Sequence, residues 1–143
     1  MNEAVRRCRE HYINTLKVYI GTLCSCTDTK LFETVYMKMY RLIMLCLKLI
    51  REDRNESNTV LDTRYIAKLV KEFSNDNEDC YDMARSAMQE LEYLTEMACV
   101  DLGTKDDLFD YQSDTFYRDV TYLVTVIEHF LLSDSIIKKS SSF

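Results

Sequence analysis

The chain of 143 residues contains no proline and only two glycines, Gly21 and Gly103. Those are the residues that build tight turns, one by presetting φ and the other by tolerating positive φ. An all-β domain would consume many such turns. A phosphate-cradling loop would need clustered glycines for close backbone approach. The composition argues against both and predicts an all-α chain. Apolar residues make up 47% and charged residues 29%, a globular balance. One domain spanning residues 1–143 is expected, because a chain of this size buries about 68–70% of its unfolded surface. Such a core needs neither metal nor disulfide.

Apolar residues recur with a 3.6-residue period in five segments. The first helix is predicted from about Asn2 to Leu23, with Val5, Cys8, Tyr12, Leu16, Tyr19 or Ile20, and Leu23 inward and Gly21 with the following polar stretch ending it. The second begins at Asp28 or Thr29, where a short polar side chain can cap free N–H groups, and runs through Leu31, Val35, Met39 and Leu42 to Ile50, as one helix or as two joined by a bend. From Arg41 onward it is apolar nearly all round, which predicts a helix surrounded by protein. Residues Arg51 to Asn58 are all polar and read as a loop. A third helix, capped at Thr59 or Asp62, points Leu61, Tyr65, Ile66, Leu69, Val70 and Phe73 inward. The fourth runs from about Glu78 to Val100, with Cys80, Met83 or Ala84, Ala87, Leu91, Leu94 and Ala98 as its stripe and Gly103 as a left-handed stop. A turn is expected over 106–111. The last helix, capped at Ser113 or Asp114, carries Phe116, Val120, Leu123, Val124, Ile127, Phe130 and Leu131. The tail 134–143 is expected to fray.

A net charge of −6 disfavours nucleic acid and anionic membranes, which reward clustered Lys and Arg. The densest basic group, Arg6, Arg7 and Arg9 beside Glu3 and Glu10, reads as a solvated helix face. No apolar run reaches the roughly 20 residues of a membrane span, and no leader segment is evident at the start. Without one, the six cysteines (8, 24, 26, 46, 80 and 99) read as reduced thiols, mostly small core residues. Cys24-Ser-Cys26 has the wrong spacing for zinc. The two histidines, His11 and His129, form no metal-binding pair, and no nucleophile elbow occurs. No catalysis, metal or cofactor is therefore expected.

What remains is a helical surface for binding, and one stretch carries a resemblance. Leu69 to Met88 (LVKEFSNDNEDCYDMARSAM) takes an apolar helix through a polar turn directly into a new helix. This resembles the first homology motif of Bcl-2-like apoptosis regulators. Val70-Lys-Glu-Phe73 matches the family's helix end, and Asp82-Met83-Ala84-Arg85 stands where the family has Asn-Trp-Gly-Arg. Length, helix order and the aromatic last helix are similar to the short, unanchored Bcl-2-like proteins of large DNA viruses. Three departures bear on ligand binding. Ala84 adds a methyl where a bound helix would come closest, Asp82 adds a negative charge beside the ligand's own Asp, and the fourth helix is wet with Gln89, Glu90, Glu92 and Glu96. The segment Leu42 to Ile50 is the alternative central helix.

The resemblance implies a Bcl-2-like helical bundle with a hydrophobic helix at its centre. It also implies a viral inhibitor of apoptosis that sequesters the BH3 helices of host pro-apoptotic proteins in an apolar groove. Leu69, Val70, Phe73, Met83, Ala84 and Met88 would form wall and floor, Asp82 would lie beside the ligand, and Arg85 would pair with the ligand's Asp. Placement in the host cytoplasm, with recruitment to mitochondria through partners, would follow. An isologous homodimer through a shared apolar face is the expected form of self-association. Two alternatives stand beside this reading. The same fold could inhibit innate-immune signalling of the NF-κB type by binding adaptor proteins through faces outside the groove. A secreted four-helix cytokine would instead carry oxidised cysteines and a glycan at Asn55.

Overall fold

The computed structural model of the protein describes residues 1–75, 77–100 and 114–133. Among them the chain forms five helices and no strand: α1 (Glu3–Ser25), α2 (Thr29–Asp53), α3 (Thr63–Ser74), α4 (Glu78–Val100) and α5 (Asp114–Leu131). The expectation of an all-α bundle is met. The stop at Gly103, the turn at 106–111 and the tail lie outside the described residues.

The helix starts follow local chemistry. Asn2 accepts from the Val5 N–H, Asp28 from those of Lys30 and Leu31, and Asp62 from those of Arg64 and Tyr65. Each such cap satisfies a donor that the helix itself leaves orphaned and contributes about 1 kcal/mol. Asn75 ends α3 in the left-handed region (φ 53°), its N–H donating to the Lys71 carbonyl; asparagine tolerates that conformation better than most residues. Gly21 is not a stop: α1 passes through it to Ser25, and its φ is not positive.

The helix at the centre is α5, which packs against all four others. Val120, Leu123, Val124, Ile127 and Leu131 are at most 2% exposed. The expectation that α2 is enclosed beyond Arg41 is overturned. Met39, Ile43, Cys46, Leu47 and Ile50 are buried, but Leu45 is 39% exposed and Leu42, Met44 and Leu49 are only partly covered. Lys38, Arg41 and Lys48 share that outward face, and their ammonium and guanidinium groups need water. The stripe on its first turns is also displaced: Phe32 is buried, whereas Leu31 is 47% exposed.

Two further corrections share one cause. The inward stripe of α1 is Arg9, Ile13, Leu16 and Leu23, leaving Val5 and Cys8 exposed. Arg9 is not part of a solvated face; it is buried and makes a bidentate pair with Asp53, one arm of which is 3.0 Å long, while also donating to the Leu131 carbonyl at 3.1 Å. That pair rotates α1 toward Arg9. It also carries α2 three residues past Ile50 into the expected loop, because Asp53 is needed as the partner. Beyond it, Glu56 accepts from both Arg54 and Lys68, and Arg54 reaches Glu72 at 2.7 Å, binding the loop to α3. At the other end, the Tyr117 hydroxyl donates to the Leu23 carbonyl at 2.7 Å and joins α5 to the end of α1.

Candidate functional site

Residues Leu69 to Met88 span the α3–α4 junction, the pair of helices that the sequence points to. Short helix α3 buries Tyr65, Ile66, Leu69 and Val70, a stripe set by its spacing of three and four residues. On the facing helix α4, the inward positions are Ala84, Ala87, Met88 and Leu91. Two alanines there let the helices approach closely. Leu69, Val70, Ala84 and Met88 are therefore sealed in the internal core, each at most 1% exposed.

The remaining expected groove residues stand elsewhere. Phe73 is partly buried, with its ring edge-on to Tyr122 at 6.0 Å and to His129 at 5.1 Å, so it closes the seam between α3 and α5. Met83 is partly covered. Asp82 and Arg85 are exposed, one turn apart, with 3.8 Å between carboxylate and guanidinium. The Arg85 guanidinium lies 5.7 Å from the centre of the Tyr81 ring. The structure thus brings Asp82, Arg85 and Tyr81 together on the surface and separates them from the apolar residues expected beside them. Helical phase accounts for this: Asp82 lies on the far side of α4 from Ala84 and Met88, and Arg85, about 100° round from Ala84, stands on the flank.

What opens on the outer side of the α3–α4 seam is a shallow cleft of about 320 Å³ lined by Arg64, Ala67, Lys68, Tyr81, Arg85 and Gln89, among others. A neighbouring cleft of about 410 Å³ at the α3–α4 turn is lined by Lys71, Asn77, Glu78, Tyr81 and Asp82. Both clefts are open and are lined mostly by charged and polar residues, unlike the enclosed apolar pockets that hold small ligands.

The thiols and carboxylates are dispersed. Cys8 and Cys24 are exposed, Cys26 and Cys46 buried and Cys80 partly buried, and none of the five is in a disulfide; the side chain of Cys99 is outside the described set. The expectation that most serve as core residues is met for Cys46 but not for Cys8, which α1's rotation turns outward. Burial pushes the Cys46 thiol up to about 12, so it stays protonated and inert. Among the described residues no group of three His, Cys, Asp or Glu side chains could hold a metal ion, and no helix is long and apolar enough to cross a membrane.

Sequence reasoning missed two features. Arg9 was hidden because its partner lies 44 residues away. Glu90 is partly buried, with one carboxylate oxygen enclosed and lacking a hydrogen-bond partner among the described residues. Burial first, and then the charge of Asp119, raise its pKa. Comparison of the chain with family models, curated proteins and solved structures gives no match.

Proposed function

We propose that the chain is a non-catalytic binding bundle, similar to the viral Bcl-2-like proteins, that inhibits innate-immune signalling by holding host adaptor proteins on its exterior. The observation that supports this reading over BH3 capture is the burial of Leu69, Val70, Ala84 and Met88. The apolar wall and floor that a BH3 helix would need are committed to the protein's own core. Admitting such a helix would mean separating α3 from α4. Exposing a buried leucine- or methionine-sized side chain costs about 1.5–3 kcal/mol each before any ligand is bound.

One observation favours BH3 capture as a second reading. Arg85 stands exposed at the mouth of the α3–α4 cleft, where it could meet a ligand's Asp. The cytokine alternative gains nothing from the described cysteines, none of which is in a disulfide.

A paired experiment separates the readings. Expression of the chain with an NF-κB-driven reporter should lower signalling, and titration with a panel of BH3 peptides should give no binding near micromolar affinity. A BH3 peptide that binds at about micromolar affinity, and that Arg85→Glu weakens by about 2–5 kcal/mol, would overturn the proposal in favour of sequestration.

A further inference from the structure

In a chain of net charge −6, the described cations are mostly matched by nearby carboxylates: Arg7 by Glu3, Lys17 by Glu128, Lys68 by Glu56, Arg118 by Asp119. On α2, four are not: the side chains of Lys30, Lys38, Arg41 and Lys48 are exposed and make no hydrogen bond or ion pair among the described residues. All four project from the outward face of α2. They recur over about 27 Å of one helix at 1.5 Å per residue. No carboxylate occurs in the sequence between Glu33 and Glu52. Among the described residues no ion pair joins a carboxylate of a neighbouring helix to these four side chains. Glu92 and Glu96 of α4 lie close enough to raise the Tyr40 pKa, though burial contributes more to that shift; Tyr40 is on α2's flank. On the other flank, Asp53 is taken by Arg9 of α1.

Beside the cations runs an apolar ridge. Leu42, Leu45 and Leu49 follow the three- and four-residue spacing with which helices pack side by side, and none of them is buried. Arg41 and Lys48, seven residues apart, border the same edge of that ridge. This is the pattern of a helix seam with one basic margin, and among the described residues it is left at least partly open, Leu45 most of all.

We infer that the outward face of α2 is a docking surface for an acidic amphipathic helix of a partner protein. The leucines would pack against the partner's apolar stripe, and its carboxylates would neutralise Lys38, Arg41 and Lys48. A second copy of the chain fits poorly, because a two-fold contact through this face would set cation against cation. A bilayer fits less well than a helix, since the face is one helix wide and the whole molecule is repelled by anionic lipid. The inference goes beyond the functional reading above and holds whether or not the partner is a signalling adaptor.

The test is a fluorescence titration of the full chain with a labelled helical peptide bearing leucines at the same spacing flanked by glutamates. Binding is expected, weakened about tenfold or more by added salt or by the triple change Lys38→Glu, Arg41→Glu, Lys48→Glu. Leu45→Gln should weaken it while leaving the salt dependence intact. Methyl resonances of Leu42, Leu45 and Leu49 should shift on titration. Because all four substitutions are at exposed positions, unchanged circular dichroism will confirm folding. Failure to bind, equal binding by the charge-reversed chain, or shifts confined to the α3–α4 cleft would overturn the inference. So would preferential sedimentation with phosphatidylserine vesicles, or self-association that the charge reversal abolishes.

Discussion

The Arg9 guanidinium ties three helix ends together: its own, that of α2 through Asp53, and that of α5 through the Leu131 carbonyl. The hydrogen bond to Asp53 raises its pKa despite the opposing effect of burial, so the guanidinium stays charged throughout the working range. Removing one partner strands the other charge in a poorly solvated place. Arg9→Ala is therefore expected to lower stability in urea denaturation by about 3 kcal/mol, at the low end for buried pairs because Asp53 keeps some water. Replacing both partners by apolar residues of similar size, Arg9→Met with Asp53→Leu, should recover most of that loss. A cost below about 1 kcal/mol for the single change, as in a surface pair, would show that the latch is incidental. The sequence displayed Arg9 among other arginines near the start of a helix, and nothing local separates a buried one from a solvated one.

At the scale of an element, α3 depends most on its flanks. It has twelve residues, a length at which an isolated helix is marginal. Its start is held by the Asp62 carboxylate and its exposed side by Lys68 on Glu56. Asp62→Ala should cost about 1 kcal/mol, and amide exchange should quicken first in residues 63–66. Equal acceleration across α4 and α5 would instead show that α3 does not open by itself. Caps of this kind were readable because they depend on neighbours two or three residues apart. The outward leucines of α2 were not. A run of apolar residues looks enclosed in sequence whether or not another helix covers it.

For the whole molecule, pH sums opposing carboxylates. Burial alone would raise the Glu56 carboxyl, but the hydrogen bonds from Lys68 and Arg54 prevail and hold it below the usual range. The hydrogen bond from Arg64 likewise lowers Asp62. Groups lowered on folding stabilise above the unfolded carboxylate pKa of about 4 and lose that contribution as pH falls through their folded values. Glu90 and Glu92 are raised, chiefly by burial, so their ionised forms oppose folding and protonation relieves them as pH falls from neutral. Thermal stability should therefore peak in the mildly acidic range. Glu90→Gln should increase it at neutral pH and move the peak upward. A melting temperature that rises monotonically from acid to neutral pH in the unmodified chain would contradict this balance.

What the sequence determined by itself was local. The missing prolines and near-absence of glycine dictated helices, the 3.6-residue stripes placed five of them, and Asp28 and Asp62 marked two starts, because each effect acts within a turn or two of backbone. Tertiary packing decided the rest: that α5 and not α2 occupies the centre, that Arg9 turns inward, and that Leu69, Val70, Ala84 and Met88 line a core while Arg85 stays outside it. Burial depends on which helices meet, and that is set by contacts between residues far apart in the chain. An apolar stripe specifies that something must cover it, but not whether the cover is the protein itself or a partner.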